Sequence, residues 1–452
     1  MNQGLTIVPP PVVGEALRRL EARGFQAWCV GGCVRDSLLG KAPSDWDIAT
    51  SALPQETKAC FAGERLVEAG AAHGTIAWVP SGDHPIEITT FRSDGAYTDG
   101  RHPDSVAFSR RLEDDLSRRD FTVNAMAWHP QRGLVDLFHG QEDLSAGLLR
   151  CVGEPARRFS EDALRILRCL RFSSQLGFAI HPDTARALWE KRELLLALSH
   201  ERVREELTKL LCGQGAAAVL RQYAAVVFTV LPELAPMKGC AQETPYHCFD
   251  VWEHTLHAVD YAPQQGDLRW AALLHDAGKP GRKTRSADGV AHFYGHPPES
   301  GRIARQLLTR LRFSNKERDW IAALVDHHED AMPMGEAHLK GLLGRYGERF
   351  VFTLFQLQEA DMSAKAPGVF ARRLPDLEES RALARTILER GDCLTLGDMA
   401  LTGEDLKALG VAPGPEMGKL LRRLLEAVQR GEAANTPAAL GELAKRLLKR
   451  GL

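Results

Sequence analysis

Two aspartates separated by one residue, Asp45-Trp46-Asp47, stand ten positions beyond the arginine of Val30-Gly31-Gly32-Cys33-Val34-Arg35-Asp36. In an extended segment that spacing projects both carboxylates from one face and turns Trp46 toward the other, buried face. Carboxylates so placed can hold Mg2+ ions that bridge an attacking hydroxyl, an α-phosphate and a departing pyrophosphate. Gly31 and Gly32 allow backbone N–H groups and a helix start to approach a triphosphate, and Arg35 adds a forked donor. Glu87, in Ile86-Glu87-Ile88-Thr89-Thr90-Phe91-Arg92, alternates so as to face inward from a neighbouring strand and is the candidate third carboxylate. A D-x-D pair by itself is usually an exposed acidic turn; its coupling to the glycine turn and Arg35 argues for the catalytic role.

A second set of chemistry-bearing residues lies further on: His254, His275-Asp276 followed by Ala277-Gly278-Lys279, His296, His327-His328 and Asp361. Imidazoles with carboxylates are ligands for divalent metals in hydrolytic sites. A single histidine of this kind is ordinarily a satisfied core or surface residue, but the adjacent His275-Asp276 pair points to a metal.

Between these sets, Glu161-Asp162-Ala163-Leu164-Arg165-Ile166-Leu167-Arg168 places positions 162, 165 and 168 near one stripe of an expected helix. Cytosine and adenine present an exocyclic amino donor beside a ring-nitrogen acceptor, whereas uracil and guanine present a carbonyl beside an N–H. A carboxylate next to a guanidinium, Asp162 with Arg165, complements the first pattern and not the second. The alternative is a plain i,i+4 ion pair between Glu161 and Arg165.

Taken in order, Gly31-Gly32-Cys33-Val34-Arg35-Asp36, Asp45-Trp46-Asp47, Arg118-Arg119-Asp120-Phe121-Thr122-Val123-Asn124-Ala125 and Glu161 to Arg168 resemble the motif set of class II tRNA nucleotidyltransferases and bacterial poly(A) polymerases. The resemblance implies template-independent addition of C, C and A to the 3′ end of tRNA from CTP and ATP, with Mg2+ in the head. It implies that Gly32 and Arg35 hold the triphosphate, that Asp45 and Asp47 hold the metals, and that Arg119, Asp120 and Asn124 contact sugar and phosphates. Asp162, Arg165, Arg168 and Arg171 would line the base and triphosphate. Gly70-Ala71-Ala72-His73-Gly74-Thr75 is closer to the CCA-adding members than to the poly(A) polymerases. Ser93 to Pro103 reads as a mobile loop, and the resemblance makes Asp99 and Arg101 candidates for a change from C to A. The histidine set resembles the HD phosphohydrolases, which implies one metal, a transition metal or Mg2+, on His254, His275, Asp276 and Asp361, and a second on His296 and His328. Open alternatives are a poly(A) polymerase, a partial CC- or A-adding enzyme, a phosphohydrolase whose head merely binds nucleotide, and an RNA-binding module with both sites inactive.

The elements that must carry these residues change character along the chain. An amphipathic helix opens it over 11–23, stopped by Gly24. Short β-prone runs follow at Ala27–Val30, Trp46–Ala49, Thr75–Val79, Ile86–Phe91 and Leu134–Leu137, alternating with helical segments. Beyond about Gly153 only helical periodicity is expected. The fold class is therefore α+β: an α/β nucleotidyltransferase head (1–148), then a helical neck (149–237), an HD domain (238–366) and a helical tail (367–452). In the tail, Lys419, Arg422, Arg423 and Arg430 flank an amphipathic stretch and read first as a solvated helix face, second as contacts to RNA. With 57 Lys+Arg against 59 Asp+Glu, an RNA partner must meet a local basic surface rather than a net field. Nine cysteines without a CxxC pair fit a reducing cytoplasm, and no stretch reads as a signal peptide or membrane span.

Overall fold

The computed structural model describes residues 7–82, 84–94 and 106–449 and divides into two compact units, 1–230 and 231–452. Asp99 and Arg101 lie outside the described residues.

The first unit opens with α1 (Pro11–Glu21), which has a proline at its N-terminus, where the missing N–H costs nothing, and buries Val13, Ala16, Leu17 and Leu20. Gly24 then turns the chain at φ +84°. There follow β1 (Ala27–Val30), α2 (Gly32–Leu38), β2 (Asp47–Thr50), α3 (Pro54–Cys60), β3 (Leu66–Val67), β4 (Thr75–Trp78), β5 (Ile86–Thr90), β6 (Arg92–Asp94), β7 (Val106–Phe108), α4 (Leu112–Ser117), β8 (Met126–His129), β9 (Gly133–Asp136) and α5 (Gly140–Ser145). Seven strands form one sheet in the order β3-β4-β5-β2-β1-β8-β9. Its one parallel pair, β2 with β5, sets Asp47 opposite Glu87, while the antiparallel β1–β2 pairing sets Val30 opposite Asp47. The glycine turn, the aspartate and the glutamate thereby meet at the same end of three adjacent central strands. Trp28, Val30, Ala49, Phe91, Leu112, Leu116 and Ala127 form a core against it, in which each large, fully buried side chain contributes about 1.5–3 kcal/mol.

The expected strands are present within one or two residues. Four were not foreseen: β3, the hairpin pair β6–β7 and β8. Ser93 and Asp94, read as loop, belong to β6. The chain continues through β10 (Leu148–Leu149), α6 (Pro155–Glu161), α7 (Leu164–Leu176), β11 (Ala179–Ile180), α8 (Pro182–Lys191), α9 (His200–Leu211), α10 (Ala216–Gln222) and α11 (Ala224–Val230). The two-residue pair β10–β11 is a small exception to an all-helical continuation.

The second unit is helical apart from one short hairpin: α12 (Val251–Tyr261), α13 (Gly266–Leu274), α14 (Lys279–Arg282), the hairpin β12–β13 (Thr284–Arg285 and Ala291–His292), α15 (His296–Arg310), α16 (Asn315–His327), α17 (Glu336–Tyr346), α18 (Glu348–Ser363), α19 (Val369–Glu389), α20 (Gly403–Ala408), α21 (Pro415–Gln429) and α22 (Pro437–Lys449). The last three helices share a core of Leu406, Met417, Leu420, Leu424 and Leu440. Lys419, Arg422, Arg423 and Arg430 are exposed on the other side of α21, with Lys419 paired to Glu416 at 2.7 Å. No described helix is long and apolar enough to cross a membrane.

Candidate active site and metal cluster

Gly31 links β1 to α2 with φ +78°, a conformation that costs an L side chain about 1–2 kcal/mol. A Cβ there would also stand 2.8 Å from Arg119 Nη1. The turn thus requires glycine twice over, for backbone freedom and for the approach of an arginine. Arg35, one turn into α2, is buried. Its Nη1 donates to Asn124 Oδ1 at 2.7 Å, its Nε donates to Asp36 Oδ1 at 2.8 Å, and its guanidinium lies 5.1 Å from the centroid of the Phe172 ring.

Asn124 in turn donates to Asp120 Oδ1 at 3.1 Å, and Asp120 Oδ2 accepts two bonds from Arg168, from Nε at 2.8 Å and Nη2 at 2.6 Å. Burial alone would raise the Asp120 carboxyl, but Arg168 and Asn124 outweigh it and hold the group at about 2. Asp120 is therefore an anchor for Arg168, fixed in its ionised form. Asp115 plays the same part for Arg118 and Arg119, accepting from Arg118 Nη2 at 2.7 Å and Arg119 Nη2 at 3.0 Å. Despite burial, those two arginines keep the Asp115 carboxyl below its ordinary range.

These residues line a cavity of about 580 Å3 whose walls include eight arginines and four aspartates. Asp45 and Asp47 lie on it, together with Gly31, Gly32, Arg35, Arg119, Asp120, Asn124, Asp162, Arg165, Arg168 and Arg171. Asp47 begins β2; Asp45 precedes the strand and is exposed, and Trp46 between them is buried as expected. Burial, followed by the nearby charges of Glu87 and Asp45, pushes the Asp47 carboxyl up to about 6. A carboxyl raised in this way by its acidic neighbours, beside a wall of arginines suited to phosphates, fits a divalent cation bound with a nucleotide. Glu87 is opposite Asp47 in the sheet but exposed, and it is not part of the cavity wall.

The helical stripe expected for positions 162, 165 and 168 is corrected by the structure. The helix breaks: α6 ends at Glu161, Asp162 is extended at φ −143°, and α7 begins at Leu164. Asp162 Oδ1 accepts the Leu164 N–H at 3.0 Å, a local bond that competes with helical continuation. Arg165 pairs with Glu161 at 2.8 Å, the i,i+4 alternative, and also donates to the carbonyl of Arg118 at 3.0 Å. The cation beside Asp162 is instead Arg202 of α9, at 3.2 Å. Arg202 was missed by sequence reasoning, as were Arg92, Arg118 and Phe172 in the wall. Arg92, Arg118 and Phe172 sit in or next to the motif runs; Arg202 is 40 residues from Asp162 and carries no local signal.

In the second unit His254 (on α12), His275 and Asp276 (after α13), His296 (starting α15), His328 (ending α16) and Asp361 (on α18) are all buried and come together. Every one of the four imidazoles directs Nδ1 at a main-chain carbonyl, those of Ala364, Ala272, Phe293 and Val325, at 3.2, 2.7, 3.0 and 2.7 Å. An Nδ1–H so engaged leaves Nε2 to face inward as a ligand atom. The Nε2 atoms of His254 and His275 stand 3.3 Å apart, as do those of His296 and His328. Two Nε2 atoms at that distance can share a cation as ligands.

The grouping differs from the expected one. His254, His275 and Asp361 form one trio and Asp276, His296 and His328 the other. Asp276 reaches both, with Oδ2 3.4 Å from His254 and His275 and Oδ1 3.2 Å from His296. Neither of its oxygens has a well-directed hydrogen-bond donor, although Lys279 Nζ is 2.7 Å away. Buried carboxylate oxygens in that state, facing four imidazole nitrogens, fit metal ligation. His327, by contrast, points elsewhere, and with His338 it clasps Asp330 Oδ2 at 2.8 and 2.7 Å, tying α16 to α17.

Three family models match successive stretches: the poly A polymerase head domain over residues 27–150, a probable RNA and SrmB-binding site of polymerase A over 177–237, and a putative tRNA nucleotidyltransferase domain 2 over 298–444. The chain is 34% identical over 429 residues to the CCA-adding enzyme of Lactobacillus delbrueckii subsp. bulgaricus, covering 94% of this chain and 95% of the relative. It is 36% identical to that of Limosilactobacillus fermentum, covering 96% of each. The chain belongs to the CCA-adding enzyme family. Among solved structures, the Bacillus stearothermophilus CCA-adding enzyme in complex with CTP matches with a TM-score of 0.74 at 31% identity, over 98% of this chain and all of that one. The fold also agrees with that of the Thermotoga maritima CCA-adding enzyme, at a TM-score of 0.56 and 21% identity. The family assignment makes the poly(A) polymerase alternative the weaker one, and a divalent metal in the head is a property of nucleotidyltransferases of this kind.

Proposed function

We propose that this CCA-adding family member extends tRNA 3′ ends by C, C and A from CTP and ATP, with selection made by side chains instead of a template. The observation that carries this reading is the single cavity in which the Asp45–Asp47 pair, the glycine turn, the arginine wall and Asp162 meet. Arg35 and Arg119 would hold the triphosphate, fixed in advance by Asn124 and Asp115. Asp45 and Asp47 would hold Mg2+, which supplies charge neutralisation for the reacting phosphate and the departing pyrophosphate. Asp162 would accept the exocyclic amino group common to cytosine and adenine, and Arg165, which lines the same cavity while paired with Glu161, would turn from that pair to donate to the ring nitrogen. Purified protein incubated with tRNA lacking CCA and each radiolabelled triphosphate tests the proposal. C, C and A added in that order supports it; a long A tract, CC alone or A alone identifies one of the alternatives.

For the second unit we propose a metal-dependent phosphohydrolase centre of the HD type within residues 238–366, followed by a tail, 367–452, that contacts tRNA in the cytoplasm. Support comes from the inward-facing Nε2 atoms and from Asp276, a member of one trio that also reaches the other. 2′,3′-Cyclic phosphates and phosphomonoesters at RNA ends, offered with Mn2+, Ni2+, Zn2+ or Mg2+, are the substrates to test. His275→Ala should remove hydrolysis and spare nucleotide addition. Asp45→Ala and Asp47→Ala should remove addition, and would leave all activity intact if the head only binds nucleotide.

A further inference from the structure

Helix α9 carries Arg202 and Glu206 one turn apart, and each meets one residue from the α6–α7 segment that walls the cavity. Arg202 Nη2 donates to both oxygens of Asp162, at 3.3 and 3.2 Å. Glu206 Oε1 accepts from Arg171 Nη1 at 3.1 Å, with both residues buried. Each contact sets a charge on α9 against its opposite among the nucleotide-facing residues.

Neither clasp uses its full hydrogen-bonding capacity. Arg202 Nη1, Glu206 Oε2 and Arg171 Nε are buried without a hydrogen-bond partner. Polar groups left in that state are destabilising, so an arrangement that satisfied them would compete with the one observed. One is available: at four-residue spacing on a helix, Arg202 and Glu206 can pair with each other. In that arrangement Asp162 and Arg171 would be left for a ligand. An isolated ion pair that merely fastened α9 to α7 would have no reason to leave three buried polar atoms unfilled.

We propose that Arg202 and Glu206 are positioning residues for nucleotide selection: they hold Asp162 and Arg171 between additions and release them, by pairing with one another, when a triphosphate enters. The inference rests on the reading of Asp162 as the carboxylate that faces the base. Selection depends on α9 because an incoming base replaces Arg202 at Asp162 only if it brings an N–H donor in exchange, as cytosine does and the carbonyl of uracil does not; with Arg202 removed, that competition is lost.

The test uses the full chain with tRNA lacking CCA and measures kcat and KM for CTP and for UTP in Arg202→Met, Arg202→Lys, Glu206→Gln and Asp162→Ala, with melting temperatures alongside. Arg202→Met is expected to lower the CTP-over-UTP ratio of kcat/KM about tenfold, and Arg202→Lys to recover most of it. Glu206→Gln, nearly isosteric, is expected to raise KM for both triphosphates several-fold while the protein stays folded. A ratio within about twofold of the parent in both Arg202 variants, with only the melting temperature lowered, would overturn the inference. Should Arg202→Met fail to fold, Arg202→Lys and Glu206→Gln decide: an unchanged ratio and unchanged KM overturn it. Relaxed selection in Asp162→Ala together with intact selection in the Arg202 variants refutes only the role of α9. Intact selection in Asp162→Ala refutes the base-facing reading beneath it.

Discussion

Replacing Asp120 by asparagine removes one negative charge from the centre of the arginine wall while keeping the side chain's shape. Asp120 is held at about 2 against an ordinary 3.8, chiefly by Arg168 and Asn124 working against burial. At about 1.4 kcal/mol for each pH unit of displacement, ionised Asp120 contributes about 2 kcal/mol to the folded state at neutral pH. The sign follows from the direction: a depressed folded-state value gives stability that is fully present above about pH 4 and is lost as pH falls through about 2. Asp120→Asn should therefore lower the melting temperature of the first unit by several degrees at pH 7, and by about half as much at pH 3. The assay is thermal unfolding of parent and variant over that pH range, with the two units followed by separate probes. The triphosphate side should respond too, since Arg168 loses both bonds to Oδ2 and its guanidinium is no longer aimed; KM for CTP should rise with kcat falling as well. A variant as stable as the parent at pH 7, or one whose deficit is the same at pH 3 as at pH 7, would show that the Asp120–Arg168 pair is not the anchor described.

Three further outcomes are expected. Mg2+ affinity of the head should fall as pH drops through about 6, because Asp47 takes up a proton there, and Glu87→Gln should move that fall to lower pH by removing one of the charges that raises it; calorimetric titration with Mg2+ checks both. Gly31→Ala should lose about 1–2 kcal/mol of stability to backbone strain and most of its nucleotide addition, since its methyl group would displace Arg119, whereas Gly63→Ala, also at positive φ but with open space around it, should lose stability alone. His275→Ala should lower bound metal, measured by elemental analysis after equilibration with Mn2+ or Zn2+, by more than tenfold without changing tRNA extension; equal metal content in parent and variant would refute the ligand assignment.

Much of this protein was legible in one dimension because its chemistry is arranged in short, local units. A glycine turn between a strand and a helix, two carboxylates at i and i+2, and a His-Asp pair each state their geometry within a few residues, since backbone conformation alone determines which side chains share a face. The strands that carry Asp47 and Glu87 were readable for the same reason, through alternation, whereas β8, four residues long directly after a motif run, offered too little pattern to stand out.

Tertiary structure decided whatever depended on which distant charge stands next to which. That Asp162 faces Arg202 and not Arg165 follows from a helix break that opens the α6–α7 segment toward α9. That Asp276 joins one trio and reaches the other follows from the meeting of five segments of the second unit, which no periodicity encodes. Local sequence fixes the directions of side chains through dihedral angles; the partner of a buried charge is fixed by packing, because only the assembled core determines where water is excluded and which opposite charge is near enough to replace it.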